Sequence, residues 1–319
     1  MISFCIPAYK HVALTHEAAK SILQQDEDFE LVILEDFYLL EPTSENLHEI
    51  ESLRDYIHAD KRVKCFSNDK LLPIQDNWNK TVSLCTGSHI KLIGADDKMM
   101  PGGIVKMSTM IREQPKVAFH GHLANIIDSS GVVIRQQRSY GKNFIVRPVN
   151  GAEALKGKLR QQIRFKEPAC NFYLKSAWEK VGGYDKHYRF TFDLLFNVKM
   201  MSGFTSMLWN EYLVELRRHQ ASDGAQLPAS LALADLQGVV GEILQMLGPE
   251  CTVFDRAAAS GLLQYRVIEL VMQRVKNQPK EMLKLLAGNF SLFMDNPISH
   301  YRMARLLWGR GIIGDVQQR

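Results

Sequence analysis

The residues with the clearest chemical potential are carboxylates in unusual positions. Asp96 and Asp97 stand side by side in "HIKLIGADDKMMP" (89–101), where an alternating polar and apolar run stops and Pro101 restarts the chain in a helical pattern. Two like charges in one loop raise each other's pKa, and burial adds to the cost. A divalent cation removes that conflict, because Mg²⁺ or Mn²⁺ prefers hard oxygen ligands and is commonly held by one or two carboxylates plus substrate phosphates. A solvated turn ahead of a proline-initiated helix would accommodate the same pair with no ligand at all. Further acids follow other apolar runs, in "EDF" (35–37) and "SNDK" (67–70). Asp193, in "RFTFDLLFNVKMMSGF" (189–204), opens an apolar helical stretch, a position where an acid also serves as a helix-dipole partner.

Something must hold these acids in place, and the first 120 residues supply it. Strand candidates at 2–6 (closed by Pro7), 30–34, 63–66 and 89–93 alternate with helical stripes: Leu14, Ala18, Ile22; Leu47, Ile50, Leu53, Ile57; Trp78, Val82, Cys85; and Ile104, Met107, Ile111. Four such alternations predict a largely parallel sheet covered by helices on both faces. Ligands of such sheets bind beyond the carboxyl ends of the strands. Those ends read "PAYK" (7–10), "EDF", "SNDK" and "GADD" (94–97), so one sheet edge is acidic.

Beyond residue 117 the rhythm changes. Residues 117–135 read as two strands around an Asp-Ser-Ser-Gly turn, and 136–148 as a long loop. Ser176-x-x-Glu179 matches a capping box, with Gly182-Gly183 as the stop. A helix after Asp193 ends at Gly203, and 205–219 is one more extended segment. From Ala225 the pattern is helical throughout, with Pro228, Pro279 and Pro297 at possible helix starts and a heptad-like seam from Phe254 to Val275. This gives a domain of residues 1–222 and a helical region of 223–319.

The net charge of +4 over 319 residues is too mild to imply nucleic acid. Five scattered cysteines without a C-x-x-C pair suggest neither zinc nor a disulfide framework, which points to the cytoplasm. No apolar run approaches the roughly 20 residues that cross a bilayer. Near the C-terminus, Arg302, Arg305 and Arg310 are interleaved with Tyr301, Leu306, Leu307 and Trp308. That pattern suits either a peripheral contact with an anionic membrane or packing on the first domain or a second subunit, as a homo-oligomer.

In their order and spacing, "SFCIPAYK", "FELVILED", "NWNKTVSLCTGSHIKLIGADDKMMP" and "KVGGYDKHYRFTFDLLFNVKMMSG" resemble the inverting family 2 glycosyltransferases over roughly residues 1–220. The resemblance implies the GT-A fold, a Rossmann-like α/β/α sandwich with a mostly parallel mixed sheet. It also implies a nucleotide-diphospho-sugar donor, a UDP-sugar foremost, with Mn²⁺ or Mg²⁺ as cofactor. Carried over by position, Pro7, Ala8 and Tyr9 line the nucleotide pocket, and Glu35 and Asp36 are the paired acids after the second strand, of which the first faces the base. Asn79 lies near the nucleotide-sugar, Asp97 holds the metal, and Asp96 holds ribose or metal. Gly94 stands where relatives often have a third acid. Asp193 is the implied base, His219 a contact to diphosphate or metal, and Glu167 part of the acceptor loop. Arg217 and Arg218 are placed to steer an anionic donor. The acceptor expected is a glycan or lipid-linked glycan, in surface polysaccharide synthesis. Two other functions compete: a catalytically silent binding protein of this fold, favoured by Gly94 and the single acid at Asp193, and a sugar-phosphate nucleotidyltransferase, which expects a glycine- and basic-rich loop after the first strand where "PAYKHVALT" lacks the glycines. A G-x-G-x-x-G after the first strand is lacking, which speaks against a nicotinamide dehydrogenase.

Overall fold

β1 (Ile2–Ala8) and β2 (Phe29–Glu35) form the buried middle of the sheet, because their side chains are apolar toward both faces. Ile2, Phe4 and Ile6 meet one helical layer, whereas Cys5 and Val32 meet the other. The remaining strands are β3 (Val63–Ser67), β4 (His89–Leu92), β5 (Lys98–Met99), β6 (Phe119–Ile127), β7 (Val133–Gln136), β8 (Asn171–Leu174) and β9 (Ser206–Arg217). Their order is β3-β2-β1-β4-β8-β6-β9-β5, with β7 on β6. β3, β2, β1 and β4 run parallel, β8 enters antiparallel between β4 and β6, and β9 runs parallel to β6. The molecule is a computed structural model describing residues 1–141, 145–218, 228–271, 279–289, 291, 292 and 300.

One face of the sheet carries α1 (Val12–Leu23), α2 (Ser44–His58) and α4 (Gly103–Glu113) through Ile22, Leu53, Met107 and their neighbours. The other carries α3 (Ile74–Leu84), α5 (Gly151–Leu159), α6 (Lys175–Val181) and α7 (Phe192–Gly203). Outside this second layer lie α8 (Ala229–Leu247) and α9 (Val253–Leu270), with α10 (Pro279–Gly288) beyond them. Val239, Val240, Ile243, Ala258 and Leu263 share one continuous core with strand residues such as Ile90 and Phe119. The region 229–250 is long and apolar enough to cross a membrane by length and composition, unlike the sequence expectation of no such run. Two-sided packing accounts for its apolarity: Val239 and Ile243 face the main core, while Ala229 and Leu233 meet Val267, Leu270 and Leu285.

The α/β/α sandwich follows the sequence expectation, with local corrections. Pro7 does not close β1; it pairs with Leu34, and Ala8 with Glu35. The ladder to β4 ends at Cys5–Leu92, so on that side no bond needs the missing proline N–H. Ser176 is not a cap: α6 begins at Lys175, whose N–H bonds the Ser88 carbonyl as β8 runs straight into the helix. The capping box is instead at Thr252, which accepts from Asp255 N–H while the Asp255 carboxylate accepts from Thr252 N–H. Gly182 and Gly183 do stop α6, with φ of 80° and 66°. Leu47 and Phe254, counted in apolar stripes, are exposed. Met272, Val275, Pro297 and the basic residues after 300 lie outside the described residues.

Candidate active site

The three strand ends β2, β1 and β4 are neighbours, which brings Glu35–Asp36, Pro7–Tyr9 and Gly94–Asp97 to one edge. Asp36 N–H bonds the Ala8 carbonyl and Ile93 N–H bonds the Cys5 carbonyl, each at 3.0 Å. Lys10 and His11, just past β1, hold φ of 57° and 40°. Two consecutive non-glycine residues in the left-handed region are strained, and such strain concentrates at binding sites.

Asp96 and Asp97 lean back over Gly94. A Cβ at position 94 would lie 2.7 Å from Asp97 Oδ2 and 2.8 Å from Asp96 Oδ1, so the two carboxylates converge where a third side chain would begin. Glycine is thus what this arrangement requires. Burial and the adjacent Asp96 charge push the Asp97 carboxyl up to about 8, against the pull of the Arg217 N–H and the Arg218 charge. Two converging oxygens in electrostatic conflict fit a divalent cation that takes its other ligands from a diphosphate. Among the described residues no cluster of three or more His, Cys, Asp or Glu occurs, and His219 lies outside them.

Arg217 is not a free steering cation but a buried clamp. Its Nε donates to the Asp96 carbonyl at 3.0 Å, one terminal nitrogen to Ser129 O at 2.8 Å and the other to Glu17 at 2.7 Å. Its backbone N–H donates to Asp97 Oδ1 at 3.0 Å. One residue therefore locks the Asp96–Asp97 loop to α1 and to the β6–β7 turn. Arg218 pairs with Glu167, ahead of β8. Glu167 raises the pKa of both Asp97 and Asp193, which places it within electrostatic reach of both.

The nucleotide-side acids are held differently. Glu35 accepts from Arg54 at 2.6 Å, Phe37 N–H at 2.7 Å and Ser67 at 2.9 Å. Asp36 accepts from Asn68, which also bonds Asn77 and Lys80. Burial, opposed by Asn68 and reinforced by Glu35, raises the Asp36 carboxyl. Asn79 commits its carboxamide to the Tyr184 backbone, donating to the carbonyl and accepting from the N–H at 2.8 Å each. It therefore positions the segment leading to Asp193.

Asp193 sits in the first turn of α7, its Oδ1 accepting from Leu194 N–H at 2.7 Å. Burial raises its carboxyl to about 6, with Leu194 N–H opposing, Glu167 reinforcing and Lys158 opposing. The preceding loop is pinned from two sides: Gln75 donates to Tyr188 O at 3.1 Å, and Asp235 of α8 accepts from Phe190 N–H at 2.6 Å. Gly238 allows α8 to approach, since a Cβ there would lie 2.4 Å from the Tyr188 ring.

Sequence reasoning passed over two of these parts. Asp235 was hidden in an apolar helix. Lys91 is fully buried in β4 and donates to His122 Nε2, Ala169 O and Asn171 O, directly under the Glu167 loop. Burial lowers it to about 7, against the attraction of Cys170 and Asp97. A lysine inside "HIKLI" was the available signal.

A parallel sheet edge with paired carboxylates, a second carboxylate at a helix start and an α/β/α frame define a GT-A-type transferase fold. The chain belongs to glycosyl transferase family 2, whose sequence profile matches residues 3–182. S. aureus TarS 1-349, solved in complex with UDP-GlcNAc, has a similar fold, with a TM-score of 0.64 at 12% identity over 97% of this chain and 92% of that one. The mannosyltransferase PcManGT from Pyrobaculum calidifontis, solved with GDP-Man and Mn²⁺, gives a TM-score of 0.54 at 12% identity over 100% and 88% of the two chains. A curated relative, uncharacterized protein MT1568 of Mycobacterium tuberculosis, is 28% identical over 145 residues, which are 44% of this chain and 41% of that protein.

Proposed function

We propose that the protein transfers a sugar from a nucleotide-diphospho-sugar, a UDP-sugar foremost, to a hydroxyl of a glycan or lipid-linked glycan, inverting the anomeric carbon. The observation that carries this reading is the pairing of two unlike carboxylate sites across Glu167. Asp96 and Asp97 converge as a cation site, while Asp193 stands apart as a lone, part-buried carboxylate. The bound cation would neutralise negative charge on the departing diphosphate.

Asp193 accepts the proton of the acceptor hydroxyl as its oxygen forms the new bond to the anomeric carbon. The bond from that carbon to the diphosphate oxygen breaks, and the nucleoside diphosphate leaves with the electron pair. A pKa of about 6 suits this, since the carboxylate is ionised at neutral pH yet more basic than an ordinary aspartate. On this reading Tyr9 and the strained Lys10–His11 turn would flank the nucleotide, with Glu35 and Asp36 on the base side. All five cysteines are free thiols, in keeping with action in a reducing compartment such as the cytoplasm; the role proposed for the transfer is surface polysaccharide synthesis.

The test is a thermal-shift panel of UDP-, GDP-, dTDP- and CMP-sugars with and without Mn²⁺. One nucleotide should raise the melting temperature by roughly 2–8 °C, and only with the cation, as saturating ligands do. No shift with any of them would favour the catalytically silent reading.

A further inference from the structure

Asp193 lines two spaces of very unlike size. The larger is a cavity of about 990 Å³, bounded by α5, the segment leading into α7, and the C-terminal helices through Leu231, Leu236 and Leu262. That volume lies at the upper end of those that hold small ligands. The smaller is a void with no room for a water molecule, where Asp193 and Asn197 of α7 meet Asn171, Tyr173 and Tyr184.

Asn171 is the anomaly in the smaller space. It is 2% exposed, and its Oδ1 has no hydrogen-bond partner among the described residues. Its orientation is fixed, because Nδ2 donates to the Lys166 carbonyl at 3.2 Å and the Glu167 carbonyl at 3.3 Å. Turning the amide over would set oxygen against two oxygens, so Oδ1 is the atom left over. The Tyr173 and Tyr184 hydroxyls bond each other at 3.2 Å and leave it unpartnered. Asn197, one turn after Asp193 in α7, donates to the same Lys166 carbonyl at 3.4 Å, which sets Asn171 beside the Asp193 face of that helix. A buried acceptor left without a donor costs stability, and here no water can enter to supply one. An ionised Asp193 has no hydrogen to offer either. A protonated Asp193 has one.

We infer that Asn171 is a positioning residue for Asp193, its Oδ1 taking a hydrogen bond from the carboxyl once Asp193 has removed the proton of the acceptor hydroxyl. Asp193 Oδ1 already accepts from Leu194 N–H, so the proton goes to the other carboxylate oxygen. Turned toward Asn171, that proton points away from the newly bonded oxygen and does not return to it. The orphaned amide oxygen is thus an acceptor held ready for the state in which Asp193 is protonated. The inference rests on Asp193 as the base and adds what receives its proton. The other ionisable groups facing Asp193 are Glu167 ahead of β8, Lys158 of α5, and the two tyrosines of the void. On the side of the large cavity they are Arg189, in the loop before α7, and Arg266, Tyr265 and Glu269 of α9, whereas α8 lines that cavity with apolar residues. None of them donates to Asn171 Oδ1.

The test is a carboxyl-carbon NMR titration of the full chain, with Asp193→Asn assigning the signal. In the wild type Asp193 should titrate above about 5, beyond the ordinary aspartate value of about 4. Asn171→Leu should lower that midpoint by about half a unit to one unit, the worth of one hydrogen bond to the protonated form. A leucine acting only through burial would raise it, so the sign separates the two roles. Asn171→Asp keeps an acceptor and adds a charge, and should raise the midpoint. A wild-type midpoint of about 4, an unchanged or raised midpoint in Asn171→Leu, or no rise in Asn171→Asp would overturn the inference. The wild type and Asn171→Asp decide the matter even where Asn171→Leu does not fold. UDP release from UDP-GlcNAc with Mn²⁺, followed on the same samples, tests the transferase reading separately. No release and no nucleotide shift, with the midpoints as expected, would remove that reading and leave the contact between Asn171 and Asp193 standing.

Discussion

The two ends of the sheet treat buried carboxylates in opposite ways. At the amino end of β2, Glu30 accepts from Ser3, from Lys64 at 2.7 Å, and from the N–H and hydroxyl of Thr86 at 2.7 and 2.9 Å. Burial opposes ionisation there, yet those donors overcome it and hold the carboxyl down at about 2. At the carboxyl end Glu35 is likewise supplied with donors, but Asp97 is pushed up to about 8 by burial and the like charge beside it, and Asp193, at the start of α7, is raised to about 6 by burial. Glu30 is satisfied by the fold itself. Asp97 accepts from Arg217 N–H and Asp193 from Leu194 N–H, yet both stay raised, which marks them as candidate functional acids beside a structural one.

The two candidate functional acids also differ from each other. Asp97 is raised first by burial and then by the adjacent Asp96 charge, a conflict that a cation would relieve. Asp193's is with its apolar surroundings and the more distant Glu167, so a proton relieves it. The largest effect that would break this contrast comes from Asp193→Asn. Transfer should fall by roughly 10²–10⁴-fold, the usual worth of a general base, while the Mn²⁺-dependent nucleotide shift survives. Near-normal turnover would remove Asp193 from the mechanism. Asp97→Asn should instead abolish the Mn²⁺ dependence of the shift. It should also raise the metal-free melting temperature at pH 8, because the folded state binds this proton more tightly than the unfolded chain does. For that reason the metal-free wild type loses stability as pH rises from about 4 toward 8, and the variant should not share that part of the slope.

Glu30→Gln sharpens the contrast from the structural side. It should cost about 2–3 kcal/mol of stability, as charge-assisted hydrogen bonds are lost, and leave turnover within about twofold. Guanidinium melts and initial rates measure the two quantities. The sign of its pH dependence is opposite to that of Asp97: the contribution is complete above about pH 4 and fades as pH falls toward 2. The smallest expected effect is that of Asp235→Ala in α8. Freeing Phe190 N–H should loosen the loop before Asp193, costing about 1 kcal/mol of stability and a roughly five- to tenfold drop in kcat with donor KM unchanged. An unchanged kcat would show that α8 supports the loop only passively.

Much of the acidic sheet edge was legible because strands and acids there are local signals. Short apolar runs closed by "EDF" and "GADD" name both the strand and its ligand-bearing tip, and a parallel order puts those tips at one edge. The cavity beside Asp193 was not legible. Lys158, Arg189 and Thr191 are far apart from Arg266 and Leu231 along the chain, and no spacing rule connects them. Arg217, Asn79 and Lys91 look on the page like ligand contacts or chance polar residues, yet their donors are taken up by carbonyls and carboxylates of other elements.

By itself the sequence determined the α/β alternation, the acidic edge and the pair Asp96–Asp97, since periodicity and adjacency depend only on neighbours along the chain. Tertiary structure alone decided that Gly94 is the space into which both carboxylates lean, that α8 grips the loop before Asp193, and that the C-terminal helices wall a cavity beside it. Those outcomes depend on how closely backbones approach and on which buried polar groups find partners, and such distances are set only when the layers pack.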